Sequence, residues 1–418
     1  MSRYRMMNIT FIFFLLLNFS LQAKELYVQS DDELLIQAIV YDEYQAYSYS
    51  REIFATLYKK TNEEIYLFHE ITSALRGNIN IEKSIEKLKK WENKNKHNLM
   101  VKRLLIPLYL RNQEVKKAKL EAEALLEKSN KLKDLEIAVT PYFYTGEFDK
   151  ALILLKRIYK QNKNEEIVLR MAIIMDEYTN ERKKAIVFLE EHVNRSLVKN
   201  KTVYLKLLEL YSKEKNINKV LELYTILYKY DKDEKYLIKI LEIYAYKKDL
   251  DGAILFLETY HTGDTVLYEL YKNQRYFKKA LGLTKTLFSK TQDFKWLAEK
   301  AILIFELSKN KDDKKMLNDV IHLFDKALEN GVQDSIYLNY YGYTLIEKKI
   351  NINKGITLLH QAVLQDPSNI YYLDSLAWGY YQNHNCKKSY DLMKKVIEKS
   401  TQKEAEILEH WDAIQKCK

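Results

Sequence analysis

The fold class this chain predicts is an all-α solenoid of about eleven helix pairs with a C-terminal capping helix, and three observations predict it. A helix-pair pattern recurs about every 34 residues from Asp31 almost to the last residue. Each recurrence carries two stretches of apolar residues at helical spacing. The 418 residues are 47% hydrophobic and include only 3 Pro and 9 Gly, too few breakers for many strands and tight hairpins. Neither helix of such a pair buries its apolar face alone, so each pair must stack on the next.

The repeats take their phase from a small residue that opens the second helix and an aromatic or aliphatic residue nine residues earlier. Ten anchors fit: Ser50, Ser84, Ala118, Ala151, Ala185, Val220, Ala253, Ala280, Lys354 with Gly355, and Ser389. Their aromatic partners include Tyr41, Tyr109, Tyr142, Tyr211, Tyr244, Tyr271 and Tyr380. Unit starts fall near residues 31, 65, 99, 132, 166, 201, 234, 261, 335 and 370. The gap from 261 to 335 holds an enlarged helix pair, about Asp293 to Asn330, with Val320 and Phe324 on its inner face. In the unit from Leu132 to Asn162, Leu135, Ala138, Val139 and Tyr142 stripe the first helix. Gly146 makes the turn, and Phe148, Ala151, Leu155 and Ile158 stripe the second. The string Tyr144 to Ala151, Tyr-Thr-Gly-Glu-Phe-Asp-Lys-Ala, closely resembles the tetratricopeptide-repeat consensus, which implies a right-handed solenoid. Other units place Asn, Lys or Gln where that consensus has the turn glycine. Pro107 and Pro141 fall inside first helices and predict local kinks, whereas Pro367 ends a unit.

Residues 1–23 read as a secretory signal peptide: Arg3 and Arg5, the apolar run Ile9 to Phe19, then a polar exit ending at Ala23. Residues 24–30 are a short leader, 31–403 one continuous solenoid without a Gly/Ser/Pro-rich linker, and 404–418 the capping helix. The expected location is the periplasm, with an uncleaved inner-membrane anchor as the alternative. No cysteine adjoins the cleavage point to take a lipid. After cleavage no stretch is apolar enough for stable membrane insertion.

The net charge of +10 is spread over helices in which acid and base interleave, the pattern of solvated faces; a nucleic-acid partner would need a clustered basic stripe. The two cysteines are Cys386, where the last second helix begins, and Cys417, near the end of the capping helix. An antiparallel stack returns both sulfurs to the same edge, and an oxidising compartment favours a bond. Its task would be to staple the cap over the last unit.

No catalytic, metal or cofactor site is expected. The 8 histidines show no His-x-x-x-His pair and no cluster with cysteine, and no two glycines have the spacing of a phosphate loop. With the solenoid filling 31–418, a separate catalytic domain has no room.

Likeness to tetratricopeptide repeats implies a concave surface lined by first-helix positions two, five, nine, twelve and thirteen. Applied here, that rule selects Phe143, Tyr144, Arg170 and Tyr178 in the middle, and Tyr343, Tyr371, Trp378 and Tyr381 near the end, as candidate contacts for protein partners. Aromatic side chains suit that task because they bury much area with few rotatable bonds. Ordinary packing competes as an explanation, since the chain has 34 tyrosines.

About 80 residues near the C-terminus carry a narrower resemblance. Tyr340 to Leu345, the insertion Ile350 to Asn353, Asp366-Pro367, the run Asp374 to Trp378 and Tyr380-Tyr381 are similar to the end of exported bacterial tetratricopeptide proteins. Those carry Leu-Gly-Tyr-Thr-Leu followed by Asp-Ser-x-Gly-Trp; here Ala377 replaces the glycine, and the helix through Glu406 and Trp411 comes next in the same order. The resemblance implies an envelope adaptor of the kind that binds a carboxy-terminal processing protease and delivers cell-wall hydrolases to it, although the lipid-anchor cysteine common in that group is missing. A structural part of a flagellar motor, pilus or secretion apparatus is the alternative. A cell-wall lytic enzyme is a third reading, weakened by the lack of room for a catalytic domain.

Overall fold

In the computed structural model the described residues are 29–95, 98–196, 200–399 and 404–417. The signal-peptide reading and most of the short leader lie outside them. They contain twenty-three α-helices and no strand, and divide into two compact units, Met1–Leu237 and Ile238–Lys418.

The first unit holds six antiparallel pairs. They are α1 (Asp31–Glu43) with α2 (Tyr47–Thr61), α3 (Glu64–Gly77) with α4 (Ile81–Lys94), and α5 (Leu99–Arg111) with α6 (Val115–Leu126). Next come α7 (Leu132–Tyr144) with α8 (Phe148–Gln161), α9 (Glu165–Ile173) with α10 (Arg182–Arg195), and α11 (Lys201–Lys213) with α12 (Ile217–Asp231). The second unit begins within α13 (Glu234–Lys247), which pairs with α14 (Leu250–Tyr260). It continues with α15 (Asp264–Asn273) and α16 (Phe277–Thr291), α17 (Lys295–Leu307) and α18 (Lys314–Glu329), α19 (Ser335–Glu347) and α20 (Ile352–Gln365), and α21 (Ile370–Gln382) and α22 (Cys386–Lys399); α23 (Ala405–Gln415) closes it. The architecture is thus an all-α, tetratricopeptide-like solenoid of eleven helix pairs and a terminal helix.

One device makes the turn inside nearly every pair. A residue one or two positions past the end of the first helical stretch adopts a left-handed conformation: Gln45, Asn78, Gln113, Gly146, Asn180 and Lys215 in the first unit, and Lys248, Arg275, Lys349 and His384 in the second. Its successor then donates its N–H back to a carbonyl in the last turn of that helix, at seven of these turns the carbonyl of the tyrosine that precedes the anchor by nine residues, as in Glu147 N–H to Tyr142 O (2.9 Å), Asn216 to Tyr211 (3.0 Å), Tyr276 to Tyr271 (2.8 Å) and Asn385 to Tyr380 (2.8 Å). This closure satisfies carbonyls that a helix end leaves free. It explains why lysine, glutamine and asparagine stand where glycine is the easy choice: the back-bond holds a conformation that costs an L-residue about 1–2 kcal/mol.

Across the turn the small anchors let backbones approach. Ala118, Ala151, Ala185 and Ala280 are fully buried, and Ser389 donates to the Ala377 carbonyl at 2.7 Å. Approach is close between α19 and α20, where a Cβ on Gly355 would lie 2.7 Å from the Gly342 carbonyl oxygen. Lysines just before several anchors lie over the recurring tyrosine rings: Lys117 over Tyr109, Lys150 over Tyr142, Lys279 over Tyr271 and Lys388 over Tyr380, at 5.2–5.8 Å. Part of the basic composition is therefore spent on packing.

Successive pairs are stitched one period apart. Arg103 forks onto Asp134 at 2.6 and 2.9 Å, and its hydrogen bonds hold that carboxyl below the usual range against the opposing effect of burial. In the second unit the buried Glu299 accepts from Tyr268 (2.6 Å), Tyr337 (3.0 Å) and Lys272 (3.0 Å). Burial, reinforced by that carboxylate, drives both tyrosine hydroxyls well above their ordinary range. Val320 and Phe324 are fully buried in the pair α17 and α18. Pro107 and Pro141 lie inside α5 and α7, which continue past them. The eighth unit starts at Asp264 rather than 261, because His261 and Gly263, both with positive φ, separate α14 from α15. No helix among the described residues is long and apolar enough to cross a membrane.

Candidate functional site

The middle cluster forms where α7 turns into α8. Tyr144 is the last residue of α7 and stands 69% exposed. Phe143 meets Phe148 edge to face with centroids 6.1 Å apart, and Phe148 stacks on Tyr178 at 4.4 Å. Phe148 opens α8, and a side chain at a helix start leans back toward the preceding turn, which carries its ring out of the stripe to which sequence periodicity assigns it. Tyr178 reaches it through a π-helical turn, Ile174–Tyr178, that extends α9. The ring pair borders a groove of about 450 Å³ lined also by Gly146, Glu147, Asp149 and Glu181. Hydrogen bonds from Lys119, Lys150 and Thr145 hold the Glu147 carboxyl down to about 2. Arg170 lies exposed on α9 and faces Glu166 of its own helix at 3.8 Å. The structure therefore joins Phe143 and Tyr178 through Phe148, with Tyr144 next to Phe143 in the chain, and gives Arg170 no contact with those rings.

The same π turn carries Asp176, whose carboxylate is buried and bonded to Arg182 and Lys213, both at 2.6 Å. Burial opposes ionisation, but the hydrogen bonds from Lys213 and Arg182 prevail and keep its pKa low. Asp176, Glu177 and Glu209 are the only carboxylate or histidine group close enough to hold a cation among the described residues. Three cations already neutralise them: Arg182, Lys213 and the buried Lys206, which reaches Glu209 at 2.9 Å. The arrangement reads as an ion-pair network between repeats.

At the other cluster the aromatic row is engaged by the chain's own last helix. Trp378 stacks face to face on His410 of α23 at 4.2 Å, stacks on Tyr381 at 4.9 Å and donates its indole N–H to Glu347 at 3.0 Å. His410 is 5% exposed, and its Nδ1 lies 3.0 Å from the buried Asp374 carboxylate. Tyr343 donates to Glu406 of α23, and burial together with that carboxylate pushes its hydroxyl above the ordinary range. Tyr371, half-exposed, donates to Glu404 just before α23 at 2.7 Å. Beneath the row Leu373, Ala377, Met393, Val396, Ile407 and Ile414 make one apolar core. Cys386 and Cys417 are joined by a disulfide, with Cα atoms 5.5 Å apart.

Sequence reasoning missed Phe148 and His410. Carrying the repeat period one step past Trp378 into α23 would have pointed to His410. Phe148 gave no comparable signal, because its ring position depends on the π turn. A larger groove, about 680 Å³ beside Leu255, Tyr276 and Leu307 in the second unit, contains none of the predicted contacts.

Comparison with known protein families and with characterised proteins finds no match. Among solved structures, a chain in the crystal structure of the APC/C hetero-tetramer Cut9–Hcn1 is similar at 11% identity over 93% of this chain and 97% of that one, with a TM-score of 0.40. A chain in the structure of Naa15/Naa10 bound to HypK-THB is similar at 12% identity over 92% and 71%, with a TM-score of 0.24. Neither superposition is close, and the fold class rests on the helix pairing itself.

Proposed function

We propose that this chain is a non-catalytic protein-binding scaffold exported to the bacterial periplasm, where it holds envelope proteins against the aromatic patch of its first unit. One observation carries the reading: Tyr144 and Tyr178 are more than half exposed beside the Phe143–Phe148 contact, and no element among the described residues of the first unit covers them. Large, rigid, half-wet rings are the side chains that dominate protein contacts. Export is supported by the arrangement of residues 1–23 and by a disulfide that needs an oxidising compartment. The adaptor role, with an envelope protease or cell-wall hydrolase as partner, is supported by the motifs between Tyr340 and Tyr381. Because Tyr343, Trp378 and Tyr381 already serve the closing helix, the first unit is the contact surface in this proposal.

The test is crosslinking of the exported protein in cells, then capture and identification of attached proteins. Wild type should recover a protease or hydrolase reproducibly, and Phe143→Ala/Tyr144→Ala/Tyr178→Ala should reduce recovery at least tenfold. Recovery of motor, pilus or secretion subunits would favour the structural alternative, and lysis of purified peptidoglycan by the chain alone would overturn the scaffold reading.

A further inference from the structure

Two residues after each anchor the second helix exposes one side chain to solvent. In three repeats of the first unit this register holds a glutamate, Glu52, Glu86 and Glu222, as a solvated face should. In the three consecutive repeats between Glu86 and Glu222 it holds Leu120 (65% exposed), Ile153 (58%) and Val187 (54%). Beside Val187 runs a groove of about 410 Å³ between α8 and α10, lined by Met175 and Phe188, by Lys156, Lys183 and Lys184, and by Glu191, which pairs with Arg195 at 3.2 Å. Lys184 pairs with Glu181, whereas Lys156 and Lys183 have no acidic partner among the described residues. The surface is apolar in its centre and cationic at its margin.

A complementary surface occurs at the start of the same unit. Helix α1 packs Ala38 into the core with Leu34 and Leu35 against it, and leaves Ile36, Ile39, Val40 and Tyr44 exposed on the opposite side. The spacing of Ile36, Val40 and Tyr44 is four residues each time, one continuous helical stripe. Asp32 and Glu43 flank it without a basic partner among the described residues. Within its own copy α1 is pinned, since Lys60 of α2 bonds Asp31 and Arg76 of α3 bonds Asp42. It cannot reach α8 and α10, three repeats away, without leaving that seat.

We infer that the groove between α8 and α10 receives helix α1 of a second copy of this chain, with Ile36, Val40 and Tyr44 against Ile153, Val187 and Phe188, and Lys156 and Lys183 against acids of α1. The contact is heterologous, so each copy offers one donor helix and one acceptor groove, and association grows as a series instead of stopping at a dimer. Apolar burial supplies the attraction, and the lysine–carboxylate contacts fix register and make association weaken with salt.

Sedimentation velocity of the purified chain over a concentration series tests this. Wild type should shift toward larger species as concentration rises. Ile153→Glu/Val187→Glu, which removes the groove, and Ile36→Lys/Val40→Lys, which removes the helix stripe, should each sediment as monomers with unchanged helical circular dichroism. Mixed in equal amounts, the two variants should form a dimer that grows no further, because only one donor and one acceptor remain. Lys156→Glu/Lys183→Glu should weaken wild-type association at least tenfold and serves if an apolar-site variant fails to fold. A wild type that stays monomeric up to its solubility limit, an oligomer that survives in either variant, or a mixture that stays monomeric would overturn the inference.

Discussion

Two aromatic clusters were selected by one first-helix position rule, yet the described part of the first unit leaves its rings open and the second unit covers its own. At Phe143, Phe148 and Tyr178 the rings contact one another at the margin of a groove. At Tyr343, Trp378 and Tyr381 the closing helix supplies His410 and Glu406 as though it were the first helix of one more repeat. Position in a repeat therefore specifies which way a side chain faces, and the next helix along the chain decides whether that face is free. The terminal row should carry stability and the middle cluster should carry binding.

Breaking the seal should have the largest effect. Replacing both Cys386 and Cys417 by serine opens a loop with a sequence separation of 31 residues, which on the chain-entropy account costs about 3–4 kcal/mol. Urea unfolding of the second unit should show the loss, and reduction of wild type should reproduce it. Next, His410→Ala leaves the buried Asp374 without its partner and removes the stack on Trp378, for about 2–3 kcal/mol. A loss below about 0.5 kcal/mol, the scale of ordinary surface substitutions, would mean that the terminal row is as open as the middle one.

A buried histidine in the first unit gives a smaller, pH-dependent effect. His192 is buried with Nδ1 at 3.0 Å from the Tyr159 hydroxyl, and burial lowers its pKa below the ordinary 6.5. Its neutral form is favoured in the folded chain, so its contribution is complete above pH 6.5 and declines as pH falls from there through the folded value. The melting temperature should drop on acidification from about pH 7 to 5, and His192→Gln should drop less over that interval. Smallest of all, Phe148→Ala or Tyr178→Ala should change stability by no more than about 1 kcal/mol, the worth of one exposed aromatic pair.

The period, the anchors and the recurring tyrosines were legible in the sequence because they result from stacking: Ala118, Ala151 and Ala185 must be small for the backbones to approach, and the structure buries all three. The turns were legible as departures from glycine at Gln113, Lys215 and Lys248, though the back-bond that holds them there was not. The candidate site was less so. A position rule assumes unbroken α-helix, and the π turn at Ile174–Tyr178 breaks that assumption where Tyr178 needs aiming. Nor does such a rule know that α23 will lie over Trp378, since that depends on a contact 32 residues later in the chain.

The most direct measurement is quantitative capture by two folded variants side by side, Phe143→Ala/Tyr144→Ala/Tyr178→Ala and Tyr343→Phe/Tyr371→Phe, with melting temperatures recorded for both. The first should lose at least tenfold in captured partner with its melting temperature within a degree or two of wild type. The second should keep its partner while melting lower. Undiminished capture by the first variant, or loss confined to the second, would contradict the assignment of binding to the open cluster.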